Sequence, residues 1–405
     1  MNKWIYTLLW AILVISACRK PYQPPAITAA NNFLVVEGNI NGGTDSTFIK
    51  LSRTVNIDNK SVHNPESGAL VNIQSNQNVS FPLTEIKSGI YACAGIMLDQ
   101  NLKYRLSIKI VNGESYLSDF VPVLNSPPID SITFDTNGSQ ITGPGINLYV
   151  NSHDPLNKIK YYRWDYQETW VFHANFHSYF YSNGDTVLAR NLNTQNITNC
   201  WGSDTSSTIV LGSSAKLTSS VILKNPITSV ISSSEKLGSE YSILVRQYAL
   251  TVDAYAFYSN LKKNTEQLGS IFDAQPTFLT GNIHCVTNPS EPVIGYISAG
   301  NLTTKRIFIN NRQLPTWETI PFYTDCKLEF DWDAKPPMPC CFYNFGGINQ
   351  IDAYINYNIG HNPAPFIPID ALGQPGKPPV GYTAGTQACV DCTLRGTNKR
   401  PAFWQ

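Results

Sequence analysis

Few side chains in this sequence stand at spacings that chemistry requires. Cys389-Val390-Asp391-Cys392 has the two-residue gap of a zinc or redox thiol pair, and Cys340 or Cys341 could complete four thiolates. His173 and His177 are four apart, which on a helix would put both on one face as metal ligands. Their surroundings, Trp170 to Phe176, read instead as a strand or an aromatic loop. Ser213 with Lys216, and Ser233 with Lys236, fit a serine–lysine pattern, but in so serine-rich a stretch the coincidence carries little. Asp331 and Asp333 flank Trp332; on a strand they would share a face about 7 Å apart, by the ~3.3 Å rise, as some glycosidase carboxylates are. No His-Glu-x-x-His, Gly-x-Ser-x-Gly or phosphate-cradling glycine loop occurs. With no second motif behind any of these, no catalytic residue, metal or cofactor is expected, and the chain does not read as an enzyme.

A binding surface has one candidate. In Tyr161 to Tyr166 the residues Tyr162, Trp164 and Tyr166 fall on one face of a strand. Three aromatics in a row form a platform for a carbohydrate when exposed, and a sandwich core when buried.

The elements that must carry these residues are almost all strands. Tyr104 to Ile110 alternates apolar and polar without a miss, and Thr47–Leu51 and Ala69–Ile73 behave similarly. Asn41-Gly42-Gly43 offers a hairpin turn after Phe33–Ile40. Residues 33–125 therefore predict an N-terminal β-sandwich of immunoglobulin or transthyretin type, closed by Asn125-Ser126-Pro127-Pro128. A second β-rich domain is expected over 126–250, and residues 251–405 should hold one long helix followed by strand and loop. Thr251 is placed to cap that helix, Ala254, Phe257, Tyr258, Leu261 and Leu268 recur at helical spacing, and Gly269 is placed to end it. Lys262 and Glu266 form a one-turn pair expected on its solvent side. Strands resume at Val293–Ala299 and Lys305–Ile309; the stretch from 331, rich in Pro, Gly, Asn and Cys, reads as loop held by disulfides. The fold class is mainly β, tandem sandwiches with one long helix and a loop-rich, disulfide-rich C-terminal region.

The N-terminus gives an address. Lys3 precedes an apolar run from Trp4 to Ile15, about twelve residues and short of the ~20 that span a bilayer, so residues 1–17 read as a signal peptide. Ile15-Ser16-Ala17-Cys18 is similar to a bacterial lipobox, which makes Cys18 the expected lipidation site and its acyl chains the membrane anchor. Residues 18–32, with Pro21, Pro24 and Pro25, form an extended tether. No aspartate follows Cys18 to retain the chain at an inner membrane, and no acidic run follows to send it to the cell surface. The other eight cysteines, Cys93, Cys200, Cys285, Cys326, Cys340, Cys341, Cys389 and Cys392, are an even number in an exported chain, which favours disulfides over metal thiolates. Formal charge is balanced, 29 basic against 29 acidic residues, which argues against a nucleic-acid partner; charged residues are only 14 %, replaced by uncharged polar ones as in many exported β-proteins.

Several stretches taken together resemble a known family. They are the lipobox followed by Leu34-Val35-Val36-Glu37-Gly38, Tyr162-Arg163-Trp164 with Glu168-Thr169, and Tyr241 to Tyr248 leading into Asn264 to Asp273. Gly281-Asn282-Ile283-His284, Pro292 to Tyr296, and the tail from Cys389 to Gly396 with Pro401 to Trp404 complete the set. The combination is similar to the Bacteroidota outer-membrane lipoproteins called domain of unknown function 4249. That resemblance implies a lipid-anchored protein of the outer membrane, encoded beside a TonB-dependent receptor and accessory to it in nutrient binding or uptake. No catalytic residues come with it. Asn264, Glu266, Asp273, Asn282 and Arg395 are polar residues within the shared stretches, suited to capping and turns or to ligand contact. A carbohydrate- or peptide-binding adhesin and an unrecognised hydrolase are the competing functional classes.

Overall fold

The computed structural model describes residues 32–55, 64–136, 143–182, 187–266, 281–317, 366–373, 375–377 and 381–404, with Leu279, Tyr323, Cys326, Leu328 and four residues of a short strand pair near 346. Strand alternation determines most of it. β6 (Lys103–Lys109) turns Tyr104, Leu106 and Ile108 inward and its lysines outward, as the sequence pattern requires. With β1 (Leu34–Asn41), β2 (Thr47–Arg53), β3 (Leu70–Ser75), β4 (Ser80–Lys87), β5 (Ile90–Cys93), β7 (Ser115–Ser118) and β8 (Val121–Pro122) it builds the first unit. β4 pairs with both β3 and β5, and a register shift between Glu85 and Lys87 accompanies the change of partner. The sheet thus doubles over a single core that includes Leu34, Ile49, Ile73, Tyr91, Leu106 and Tyr116.

The second unit is a two-layer sandwich. One layer is β9 (Ile129–Asp135), β10 (Gly145–His153) and β16 (Val221–Ile231), in the order β16-β10-β9. The other is β11 (Tyr161–His173), β14 (Asn199–Thr205), β15 (Val210–Ser213), β17 (Glu240–Leu250) and β21 (Thr303–Asn310). A small pair, β12 (Phe180–Ser182) and β13 (Val187–Ala189), lies outside both layers. The helix α1 (Val252–Glu266) follows β17, and the Thr251 hydroxyl accepts from the Ala254 amide at 3.1 Å. Ala254, Phe257 and Tyr258 face the protein, packing with Tyr161, Leu211 and Tyr296. Leu268 and Gly269 lie outside the described residues.

After the helix the chain goes back to the first unit. β18 (Ile283–Cys285) pairs with β7, while β19 (Ile294–Gly295) and β20 (Ala299–Gly300) pair in parallel with β1. A boundary at residue 251 therefore does not mark off a third unit: residues 283–300 complete the first sheet and β21 completes the second. The sequence places a strand over Val293–Ala299, but a local period does not say which distant strand it pairs with. The Pro-rich segment between the units is fixed. The Pro127 carbonyl accepts from Gln247 Nε2 at 2.7 Å and from Thr303 Oγ1 at 2.9 Å.

The C-terminal region contains more regular structure than its composition implied. β22 (Asn344–Phe345) and β23 (Ile348–Asn349) pair, β24 (Phe366–Leu372) pairs with β25 (Gly381–Thr386), and one short helical turn, α2 (Gln387–Val390), follows. Disulfides Cys200–Cys392 and Cys326–Cys389 hold this end. Trp404 sits edge-on to Trp201 and Phe308, at 6.4 and 5.4 Å between ring centres.

Candidate functional site

The two faces of β11 do different work. Tyr162, Trp164 and Tyr166 point into the sandwich, where all three are buried, so they are core and not an exposed binding platform. Their polar atoms are satisfied there: Trp164 Nε1 donates to Gln247 Oε1 at 2.9 Å, and the Tyr166 hydroxyl donates to Thr228 Oγ1 at 3.0 Å. The alternate residues, Arg163 and Asp165, necessarily point the other way. Register sets Tyr248 opposite Arg163 and Arg246 opposite Asp165 on β17.

Arg163 is the centre of that outer face. Its guanidinium lies 4.4 Å from the ring centre of Tyr248 and 4.7 Å from that of Tyr258 on α1. Its Nε is buried without a hydrogen-bond partner among the described residues. Burial opposes its charge, but the two tyrosines and Asp165 outweigh that and hold its pKa above the usual value. Burial and then the Asp165 carboxylate push the Tyr248 phenol well up, so it stays protonated. Arg246 Nε lies 2.9 Å from Asp165 Oδ1, within ion-pair distance but off the line of a hydrogen bond.

Two cavities meet at this arginine. One, of about 530 Å³, runs between β1, α1 and the segment of β19; Val35, Phe257, Leu261 and Tyr296 give it apolar walls, and Ser206, Thr208, Glu37 and Glu266 give it a polar side. The other, of about 560 Å³, opens on the far side of Arg163 towards Asn39, Asp45 and Phe48. Arg163, Asp165 and Gly38 belong to the walls of both. Volumes of this order suit a small molecule.

Local chemistry fixes the walls. Lys262 Nζ donates to the Ile209 carbonyl at 2.7 Å and Glu266 Oε1 accepts from the Ile209 amide at 2.6 Å. The pair expected on the solvent side of the helix thus clamps α1 to the residue just ahead of β15. Asn282 is buried and makes the same two-way bond to residue 297, donating to its carbonyl and accepting from its amide, each at 2.9 Å. That is a structural role.

The remaining candidates have other partners. Cys389 and Cys392 each bond a different distant cysteine, so their spacing does not make a metal or redox pair. Cys93 and Cys285 are free thiols, correcting their expected place in the disulfide set. They sit on β5 and β18 opposite Thr47 and Tyr116, with no thiol across the ladder to bond. Cys340, Cys341, Asp273, Asp331 and Asp333 lie outside the described residues. His173 ends β11 and bonds Asn199 at 2.8 Å, while His177 stacks on Tyr179 beyond it, so no helix brings them together. Ser213 Oγ accepts from the Ala215 amide at 3.1 Å, closing its own turn. Lys236 is engaged by Glu168 at 2.6 Å, whose other oxygen accepts from Tyr241 at 2.7 Å; it is not directed at Ser233. Arg395 forms a two-pronged pair with Glu235, both contacts 2.9 Å. Among the described residues no three His, Cys, Asp or Glu side chains converge as metal ligands. No described helix is long and apolar enough to cross a membrane.

A double-layered β protein with a helix-walled cleft at the junction of its units is the class that fold and site define. The chain belongs to the family described as Domain of unknown function (DUF4249), whose model matches residues 19–306. No curated protein matches the chain. The matched span holds the first unit, the cleft and the second unit as far as the start of β21, and the tail from Cys389 lies beyond it.

Proposed function

We propose that this chain is a non-catalytic, lipid-anchored binding protein of the outer membrane, accessory to a TonB-dependent receptor in capturing or taking up a nutrient. One observation carries the binding part. Stretches far apart in sequence, each among those shared with the family, supply the walls of the same two cavities: Val35 to Gly38, Arg163 and Trp164, Arg246 and Tyr248, Thr265 and Glu266, and Ile294 to Tyr296. Purely structural motifs would have no reason to meet around empty space. The anchor part rests on the lipobox at Cys18 and the proline-rich tether after it. Pairing with a receptor rests on the family, and a stable complex would bury roughly 1,200–2,000 Å².

Tagged protein extracted from its native membrane in mild detergent should bring down one receptor barrel in near-equal amount, and a clickable fatty acid should label the wild type but not Cys18→Ala. Purification as a lone chain, with uptake unchanged in a deletion strain, would leave a free-standing surface adhesin as the better reading. Equal labelling of Cys18→Ala would remove the anchor.

A further inference from the structure

The charge inventory of the cleft leaves one group over. Three carboxylates line the first cavity, and each is already engaged. Glu37 meets Lys50 at 2.9 Å, Asp165 lies within ion-pair distance of Arg246 at 2.9 Å and also faces Arg163, and Glu266 takes the Ile209 amide with Lys262 at 3.8 Å. Asp45, at the outer mouth of the second cavity, is exposed to solvent, where its field is screened. Arg163 differs. Tyrosine rings cover its guanidinium, and Tyr248 is also a hydrogen-bond partner of that group. Its Nε donor is unpaired among the described residues, although a buried donor left unpaired costs about 1–3 kcal/mol, more for a charged group.

We infer that the cleft takes a monocarboxylate with an apolar, ring-sized body, the carboxylate on the edge of Arg163 and the body against Phe257, Leu261 and Tyr296. The inference deepens the binding function proposed above and rests on it. A carboxylate approaching side-on uses Nε–H and one Nη–H together, the two-pronged geometry that guanidinium supplies and ammonium does not. The rest of the first cavity is built for an apolar body. Phe257 lies 5.4 Å from Tyr258 and 5.6 Å from Tyr296 between ring centres, a three-ring wall on which a further ring can pack edge-on or offset. A cationic ligand would be repelled by the guanidinium.

The test uses the full mature chain in lipid nanodiscs and isothermal calorimetry with 4-phenylbutyrate and its uncharged amide as matched probes. The acid should bind wild type at least tenfold more tightly than the amide. In Arg163→Gln that preference should collapse to about one, and Leu261→Trp, which fills the apolar end without touching the charge, should lose both probes. Arg163→Lys keeps the charge and loses the fork, so it should keep only part of the preference; it also serves if Arg163→Gln does not melt like wild type. Equal binding of acid and amide to wild type, with both lost in Leu261→Trp, would overturn the anionic class and leave the cleft a binding site. A preference that survives Arg163→Gln would overturn the role of Arg163. Binding of neither probe at millimolar concentration would overturn the ligand class, and receptor co-purification would then decide the accessory function separately.

Discussion

The backbones of Gly281 and Gly295 cross so closely that a Cβ on Gly281 would sit 1.7 Å from the Gly295 carbonyl oxygen. The obstacle is backbone and not a pliable side chain, so nothing can swing aside. Gly295 is in turn paired with Val36 on β1, one of the cleft walls. Gly281→Ala should therefore destabilise the protein by about 1–3 kcal/mol or more. Gly43→Ala, whose added carbon would meet nothing closer than 3.5 Å, should stay within about 0.5 kcal/mol of wild type. Thermal unfolding of the two variants side by side gives the answer, and equal melting temperatures would mean that the crossing relaxes freely.

Gln247 is completely buried and ties the second unit to the connecting segment. Its Oε1 accepts from Trp164, and its Nε2 donates to the Pro127 carbonyl in the connecting segment. Gln247→Leu keeps the volume but strands the indole N–H, and a cost of about 1–3 kcal/mol is expected for a buried group left unpaired. Urea unfolding should show the midpoint falling. A second transition should separate the units if Pro127 is what couples them; a single unshifted transition would assign the coupling to other contacts.

The disulfide assignment is specific enough to be wrong in a visible way. Non-reducing peptide mapping should recover Cys200 joined to Cys392 and Cys326 joined to Cys389, and alkylation after unfolding without reductant should mark Cys93 and Cys285. Losing a native bridge in an exported domain typically costs about 2–5 kcal/mol. Cys200→Ser with Cys392→Ser should fall in that range, since the bridge spans 192 residues of sequence. A bridge between Cys93 and Cys285 would contradict the arrangement of the first core.

Two carboxylates should contribute to the acid limb of stability. The amides of Gly68 and Gly89 each reach Glu85 at 2.8 Å and hold its pKa below the usual range. Burial opposes ionisation of Asp154, but the amides of Ile159, Lys158 and Leu156 outweigh it and lower its pKa too. Groups depressed in the folded state contribute stability that is complete above their unfolded values, about 4, and is lost as pH falls through the folded ones. Between pH 6 and pH 3 the melting temperature of wild type should drop more steeply than that of Glu85→Gln with Asp154→Asn. Parallel curves would place the acid sensitivity elsewhere.

How much of this could be read beforehand depends on period and distance. β6 and the face of Tyr162, Trp164 and Tyr166 are legible because alternation is local, and α1 because Thr251 and its apolar spacing are. The same alternation that singled out Trp164 also put Arg163 and Asp165 on the opposite face, so the cleft residues stood one position away from the ones chosen. What turned Arg163 into a site was Tyr248 across the ladder and Tyr258 from the helix, 85 and 95 positions further on, and no local pattern encodes such pairings. The disulfide partners escaped for the same reason. An even count of cysteines says that bonds form, but Cys200 meets Cys392 only because the tail folds back over β14.

β1 has a mechanical consequence that follows from its neighbours. It is held along one side by β2 in antiparallel register and along the other by β19 and β20 in parallel, and the chain ahead of Leu34 runs straight into it. A pull on that leading segment acts along the strand axis, so the ladder bonds on both flanks bear the load together in shear. Peeling them one by one, as at a free edge, is not available. The fold is thus gripped at its first strand by residues 259 positions later, so a load entering at Leu34 is shared between segments from opposite ends of the matched sequence.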